Sequence, residues 1–310
     1  MKFSVVITTK DRVSFLKRAV MSIFGNGNGN GNGNGNGNGN GNGLADIIIV
    51  NDGGEKITHD IFSGHNATKI NVINNLTSLG GNKARNQGVL AASGDIIFFL
   101  DDDDAYTPDT ISEKLRLFES DSQLVLVYTG VQFVMSDKLD MVVRTKQPIA
   151  ENELSLKHLL AHGNLIGPTS CAAVRKSAFI AAGMFDEKLG AMQDYELWLR
   201  MIQYGKVMSD GGLNLIYTIH SSGAQISSKY EKYLVAATYI SDKFKNELDR
   251  FDVSRCFWAQ IYFRVALSCS HANEMLKIRF AVKSLLCKPA FKSFALLIPT
   301  SLLKIIKPFV

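Results

Sequence analysis

Short apolar runs alternate with amphipathic stretches through the first hundred residues. Phe3–Ile7, Ile47–Val50, Ile70–Ile73 and Asp95–Leu100 are rich in β-branched and aromatic residues and too short for helices, so each reads as a strand. Between them, Asp11–Phe24 carries apolar residues at helical spacing (Val13, Leu16, Val20, Ile23), and Asn82–Ala92 reads as a second helix. Runs without polar alternation are buried on both faces, as in a parallel sheet covered by helices. The β-α-β order implies right-handed crossovers. Polar residues collect where strands end: Thr8-Thr9, then Asn51-Asp52-Gly53-Gly54, then Asp101-Asp102-Asp103-Asp104. Ligands bind outside the carboxyl ends of strands in open α/β sheets, so these three ends mark the expected site.

The four aspartates after Leu100 carry the strongest chemical signal. Packed carboxylates repel and raise one another's pKa, and a cation relieves this. Hard oxygen ligands suit magnesium or manganese, which leave coordination positions for phosphate oxygens. The competing explanation is a solvated acidic loop. No Gly-x-x-x-x-Gly-Lys and no Gly-x-Gly-x-x-Gly occurs, so neither an ordinary ATPase nor a dinucleotide dehydrogenase is supported.

Two regions stand apart. Gly25–Gly43 is a strict Gly-Asn alternation with no side chain to bury, expected to be a disordered insertion. Lys229–Lys307 has helical periodicity interrupted by Pro289 and Pro299. From Met275 to Val310 there are seven basic residues (Lys277, Arg279, Lys283, Lys288, Lys292, Lys304, Lys307) and no acidic one, within a net charge of +5. They are interleaved with Phe280, Leu286, Phe291, Phe294, Leu297, Leu302 and Ile305. This suits either an interfacial helix on an anionic membrane surface or a helical cap with solvated lysines. The expected organisation is a catalytic domain over 1–225 and a helical, basic extension over 226–310. No run approaches the roughly 18 apolar residues of a membrane span. Lys2 and the polar pair Thr8-Thr9 leave no leader-like segment. Cys171, Cys256, Cys269 and Cys287 have no metal spacing, which fits reduced thiols in a cytoplasm. Nothing points to nucleic acid.

Five stretches in order carry a resemblance: Ser4–Arg12, Ile47–Gly53, Ala84-Arg85-Asn86-Gln87-Gly88, Phe99–Asp104, and Gly183–Glu187 with Gln193-Asp194-Tyr195-Glu196-Leu197-Trp198-Leu199-Arg200. Together they resemble family 2 glycosyltransferases of the GT-A fold, over about residues 3 to 222. The resemblance implies a Rossmann-like, mostly parallel sheet flanked by helices. It also implies an inverting transfer of sugar from a nucleotide-diphospho-sugar, UDP-linked by expectation, in surface-polysaccharide synthesis. The acceptor is then a saccharide or a lipid-linked carrier, and the enzyme is cytoplasmic or peripheral at the inner face of the cell membrane. A nucleotidyltransferase or a non-catalytic nucleotide-sugar-binding protein is the alternative.

Residue by residue, the resemblance implies nucleotide-sugar contacts at Thr9, Asp52, Arg85 and Asp102, and metal ligands at Asp101, Asp103 and His220. Asp52 also suits a turn, and His220 could be a surface residue at the end of the strand Leu213–Ile219. Asp194 is the expected base. It takes the proton of the acceptor hydroxyl and opens a helix Tyr195–Tyr204, where the dipole also favours a carboxylate. Gln193 stands where the family pattern is usually Glu. Gly167-Pro168-Thr169-Ser170 resembles a family loop near the donor sugar.

Overall fold

The computed structural model describes residues 1–25, 43–62, 67–149, 154–220, 230–270 and 273–300. The interior of the Gly-Asn repeat lies outside them, as do Leu302, Lys304, Ile305 and Lys307. The chain divides into two units. Met1–Leu154, Ile166–Glu187 and Arg200–Ser221 form the first; Ser155–Leu165, Lys188–Leu199 and Ser222–Val310 form the second.

The first unit is built on two sheets. Its strands are β1 (Phe3–Thr9), β2 (Leu44–Asn51), β3 (Ile70–Asn74), β4 (Ile96–Asp101), β5 (Ala105–Tyr106), β6 (Leu124–Tyr128), β7 (Val131–Met135), β8 (Lys138–Lys146), β9 (Ala172–Arg175), β10 (Lys206–Ser209) and β11 (Leu215–Ile219). The seven-stranded sheet runs β10-β6-β9-β4-β1-β2-β3. Only β9 is antiparallel to its neighbours. The predicted parallel core β3-β2-β1-β4 is therefore present. Its apolar runs are fully covered: Val5, Ile7, Ile47–Val50 and Ile96–Phe98 are solvent-free. Burial of a Val, Leu or Ile side chain contributes about 1.5–3 kcal/mol, which makes this the dominant stabilising block.

Helices α1 (Val13–Phe24), α2 (Gly81–Ala91), α3 (Thr110–Ser120) and α5 (Lys176–Ala181) also belong to this unit. α1 buries Leu16, Ala19, Val20 and Ile23, the predicted stripe. α2 lies against β1 and β2 because position 88 is glycine: a Cβ there would collide with Val6. The smaller sheet, β5-β11-β7-β8, was not predicted beyond β11. Its strands are two to nine residues long, and β8 is exposed along nearly its whole length, so hydrophobic patterning hardly marks them. One polar pair is fully internal. Lys114 Nζ meets Asp210 Oδ2 at 2.7 Å, both side chains being at most 1% exposed. Removing one partner of such a pair strands a buried charge, at about 3–5 kcal/mol.

The second unit is helical: α4 (Leu156–His162), α7 (Tyr230–Lys243), α8 (Lys245–Arg250), α9 (Ser254–Cys269), α10 (Glu274–Cys287) and α11 (Phe291–Ala295), with most of α6 (Gln193–Met201). Val265, Ala266, Cys269, Phe280, Ala281 and Leu296 form its core. Glu196 is buried, and its carboxylate meets Lys243 Nζ at 2.7 Å. No helix among the described residues is long and apolar enough to cross a membrane.

Candidate active site

The strand register brings the polar ends level. Thr9 pairs with Asn51 and Thr8 with Asp101, so β1, β2 and β4 end side by side. β4 ends in a turn closed by Asp104 N donating to Asp101 O at 3.0 Å. The alternation of the strand persists through it: Asp102 and Asp104 are buried, while Asp101 and Asp103 are partly exposed.

Cations and hydroxyls divide the four carboxylates between them. Thr9 Oγ1 donates to Asp102 Oδ2 at 2.6 Å, and Arg12 Nε donates to the same oxygen at 3.1 Å. Burial pushes the Asp102 carboxyl up to about 6, with Arg12 and Thr9 opposing it. Asp103 Oδ2 accepts from Arg12 Nη1 at 2.6 Å and lies 2.9 Å from His220 Nε2. Asp101 Oδ1 accepts from Arg85 Nη2 at 2.5 Å. Asp104 accepts from Ser170 Oγ at 2.6 Å and from Thr218 N at 3.0 Å. Burial, then the charges of Asp103 and Asp101, hold the Asp104 carboxyl well above its ordinary value. Ser170 Oγ also accepts from Asp101 N at 3.0 Å, and Arg18 Nη2 donates to Asp103 O and to Thr218 Oγ1. The aspartate turn is thus tied on one side to the loop at Ser170 and on the other to β11, whose end carries His220.

Asp52 faces a different partner. Its carboxylate accepts from Leu79 N (2.7 Å), Gly80 N (2.9 Å) and Ser78 Oγ (2.8 Å), which fixes the loop before α2. Burial acts to raise its pKa, and these hydrogen bonds overcome that and hold it below the usual carboxylate value. The Gly183–Glu187 turn is clamped from two sides. Asn86 Nδ2 donates to Phe185 O at 2.9 Å and Asn86 Oδ1 accepts from Phe185 N at 3.0 Å. Arg200 donates to the carbonyls of Ala182 and Met184. The first unit therefore brings Thr9, Arg85, Asp101, Asp102, Asp103 and His220 to one network, with Asp52 at the next strand end.

Asp194 belongs to the second unit. It lies within the first turn of α6, which begins at Gln193, two residues earlier than predicted. Its Oδ2 accepts from Asn164 Nδ2 at 3.1 Å, and its Oδ1 from Tyr195 N at 2.7 Å. Tyr195 is anchored by its hydroxyl to Leu159 O at 2.8 Å. A carboxylate that accepts from an amide and a backbone N–H is held in a fixed orientation, as a base requires.

The donor chemistry suits a divalent cation in part. Asp103 and His220 meet, and a carboxylate with an imidazole is an acceptable pair for manganese. Asp101 turns instead to Arg85. Among the described residues no group of three or more His, Cys, Asp or Glu converges as a metal cage. Ions that keep waters and phosphate oxygens need only one or two protein ligands, so the pair fits. Arg12 and Asp104 fall within the motif stretches, yet the sequence reading gives neither them nor Arg18 an individual role. Their partners lie as far as 200 residues away in the chain.

Known proteins resemble this chain in sequence and in fold. The profile of glycosyl transferase family 2 matches residues 4–183. The amylovoran biosynthesis glycosyltransferase AmsB of Erwinia amylovora is 29% identical over 221 residues, 67% of this chain and 70% of that protein. Among solved structures, S. aureus TarS 1–349 in complex with UDP-GlcNAc superposes with a TM-score of 0.58 at 16% identity, covering 99% of this chain and 92% of that one. The mannosyltransferase PcManGT from Pyrobaculum calidifontis, in complex with GDP-Man and Mn2+, gives a TM-score of 0.58 at 13% identity, covering 99% and 81%. The expected GT-A fold is the fold observed.

Proposed function

The chain belongs to glycosyl transferase family 2, and on that premise we propose that it transfers a sugar, with inversion, from a nucleotide-diphospho-sugar to a hydroxyl of a saccharide or lipid-linked acceptor. The observation that carries this reading is the network at the ends of β1 and β4, where Thr9, Arg12, Arg85 and His220 surround three aspartates. UDP is the expected nucleotide, a choice supported by the UDP-GlcNAc complex of a fold neighbour. The relation to an amylovoran enzyme supports a role in surface-polysaccharide synthesis.

Thr9, Asp52 and Asp102 are assigned to the nucleoside, and Arg85 to the diphosphate, for which a permanently charged guanidinium is suited. Asp103 and His220, with Asp101, would hold manganese or magnesium, which supplies neutralisation of the charge that develops on the departing diphosphate. Asp194 accepts the proton of the acceptor hydroxyl as its oxygen bonds to the anomeric carbon. The bond from that carbon to the phosphate oxygen breaks, and its electron pair leaves with the nucleoside diphosphate. Attack opposite the leaving group inverts the anomeric centre. The enzyme works on the cytoplasmic side, peripheral to the inner face of the cell membrane, a reading supported by the cationic helices of the second unit.

A panel of UDP-, GDP- and dTDP-sugars, offered with manganese and with free or lipid-linked saccharides, tests this. The expected product carries the anomeric configuration opposite to the donor, read by NMR. A product of retained configuration would overturn the mechanism, and cleavage that yields a nucleotidyl product would overturn the reaction class.

A further inference from the structure

The two sides of α10 differ in a way its sequence conceals. Its inner side packs on α9 and buries Lys277, Phe280, Ala281 and Ser284. Lys277 is thus not one of the surface cations that the charge count suggested. Its Nζ meets Glu274 Oε1 at 2.5 Å, Ile298 O at 2.7 Å and Thr300 Oγ1 at 3.2 Å. Glu274 lies one residue outside the acid-free stretch, which is why the count missed it.

The outer side carries a second apolar stripe. Met275, Ile278, Val282 and Leu286 follow one another at intervals of three and four residues, and all four are exposed. Beyond Pro289, the next helix, α11, carries two more exposed apolar side chains, Phe291, 85% exposed, and Phe294, 53% exposed. A lone exposed leucine is ordinary; six bulky apolar side chains on consecutive elements are a contact surface.

The rim of this surface is cationic. Arg279 is exposed. Lys283 lies over the Tyr262 and Phe280 rings, Lys288 Nζ reaches Cys256 Sγ at 3.4 Å, and Lys292 Nζ donates to Gln260 Oε1 at 2.9 Å. These lysines lean on rings, a thiol and an amide, none of which offsets their charge. Burial lowers the pKa of Lys292, and Lys288 lowers it further. Burial also lowers His162 of α4, as do Lys288, His158 and Lys292, so like charges crowd one corner. No acidic residue lies between Met275 and Val310.

We infer that the outer face of α10 and α11 is the surface by which this protein lies on a bilayer containing anionic phospholipid. Leu286, Phe291 and Phe294 enter the boundary between headgroups and acyl chains, and Arg279, Lys283, Lys288 and Lys292 meet lipid phosphates. This names the contact surface within the peripheral reading given above, and it does not depend on the donor or the acceptor. A bilayer is favoured over a protein partner because it offers both complements at once, apolar depth under the stripe and negative charge at its rim.

The test is co-sedimentation of the full chain with vesicles of phosphatidylcholine alone or mixed with phosphatidylglycerol, at low salt. Wild type should sediment with the mixed vesicles and stay largely in the supernatant with phosphatidylcholine. The double variant Phe291→Ser/Phe294→Ser should lose about tenfold in partitioning, and so should Lys288→Glu/Lys292→Glu. All four residues are exposed and none belongs to the candidate active site, so donor binding should not change, and thermal unfolding midpoints should shift by no more than the loss of the Lys288 and Lys292 contacts to Cys256 and Gln260 allows. As a second readout, Phe291→Trp should show a blue-shifted emission on adding mixed vesicles. Equal sedimentation of wild type and both double variants would overturn the assignment, as would failure of wild type to bind mixed vesicles. A concentration-dependent dimer abolished by Phe291→Ser/Phe294→Ser, without vesicle binding, would assign the face to a second copy instead. Loss of donor binding in wild type would count against the catalytic reading and leave the vesicle result standing.

Discussion

Replacing Asp194 by Asn is expected to lower kcat by about 10²–10⁴-fold, the usual contribution of a positioned base, with donor affinity within about twofold of wild type. The substitution preserves shape, and its single carbonyl oxygen can keep one of the two hydrogen bonds, from Asn164 Nδ2 or from Tyr195 N, that the two carboxylate oxygens now accept. What is lost is a group able to take a proton. A base acts in the transition state, so kcat and kcat/KM should fall together while ground-state binding persists. Steady-state kinetics alongside donor calorimetry checks this. Turnover within about threefold of wild type would remove Asp194 from the mechanism.

Asp103→Asn should act on the other side of that divide. It should weaken manganese-dependent donor binding by about 100-fold or more, because even partners outside the first ligand sphere of a metal are worth 10–100-fold. Asp103 is where His220 and Arg12 converge, and its carboxylate oxygen contacts both. Arg12 pairs with Asp102 and Asp103 at once. Loss of one charge there leaves Arg12 with Asp102, so folding should survive and the deficit should appear in binding. Calorimetric titration of a UDP-sugar with and without manganese separates the two. Equal affinities in wild type and Asp103→Asn would overturn its role.

The central sheet was legible because β1, β2 and β4 are continuous apolar runs buried on both faces. The smaller sheet was not, because β8 exposes almost every residue and β5 has only two. β9 reads Ala-Ala-Val-Arg, with too little hydrophobic contrast to mark a strand. The aspartate turn could be found from composition alone, since four carboxylates after a buried strand demand compensation. Which cations supply it could not. Arg12 follows a strand end and Arg18 sits on a helix, and neither position reveals a partner some 90 residues on. Asp52 shows the limit of motif reading: the same carboxylate that suits a nucleoside also fixes residues 78–80. Lys277 shows the limit of charge counting, since burial and Glu274 remove it from the surface.

The most direct test of the account is titration of the wild-type protein with UDP-, GDP- and dTDP-sugars in the presence of manganese. At least one donor, a UDP-sugar by expectation, should bind with a Kd below about 1 mM, equivalent to roughly 4 kcal/mol or more of binding, and removal of manganese should weaken it. If every donor in the panel fails to bind at millimolar concentration with metal present, the network around Asp101, Asp102 and Asp103 is not a nucleotide-sugar site and the account is wrong.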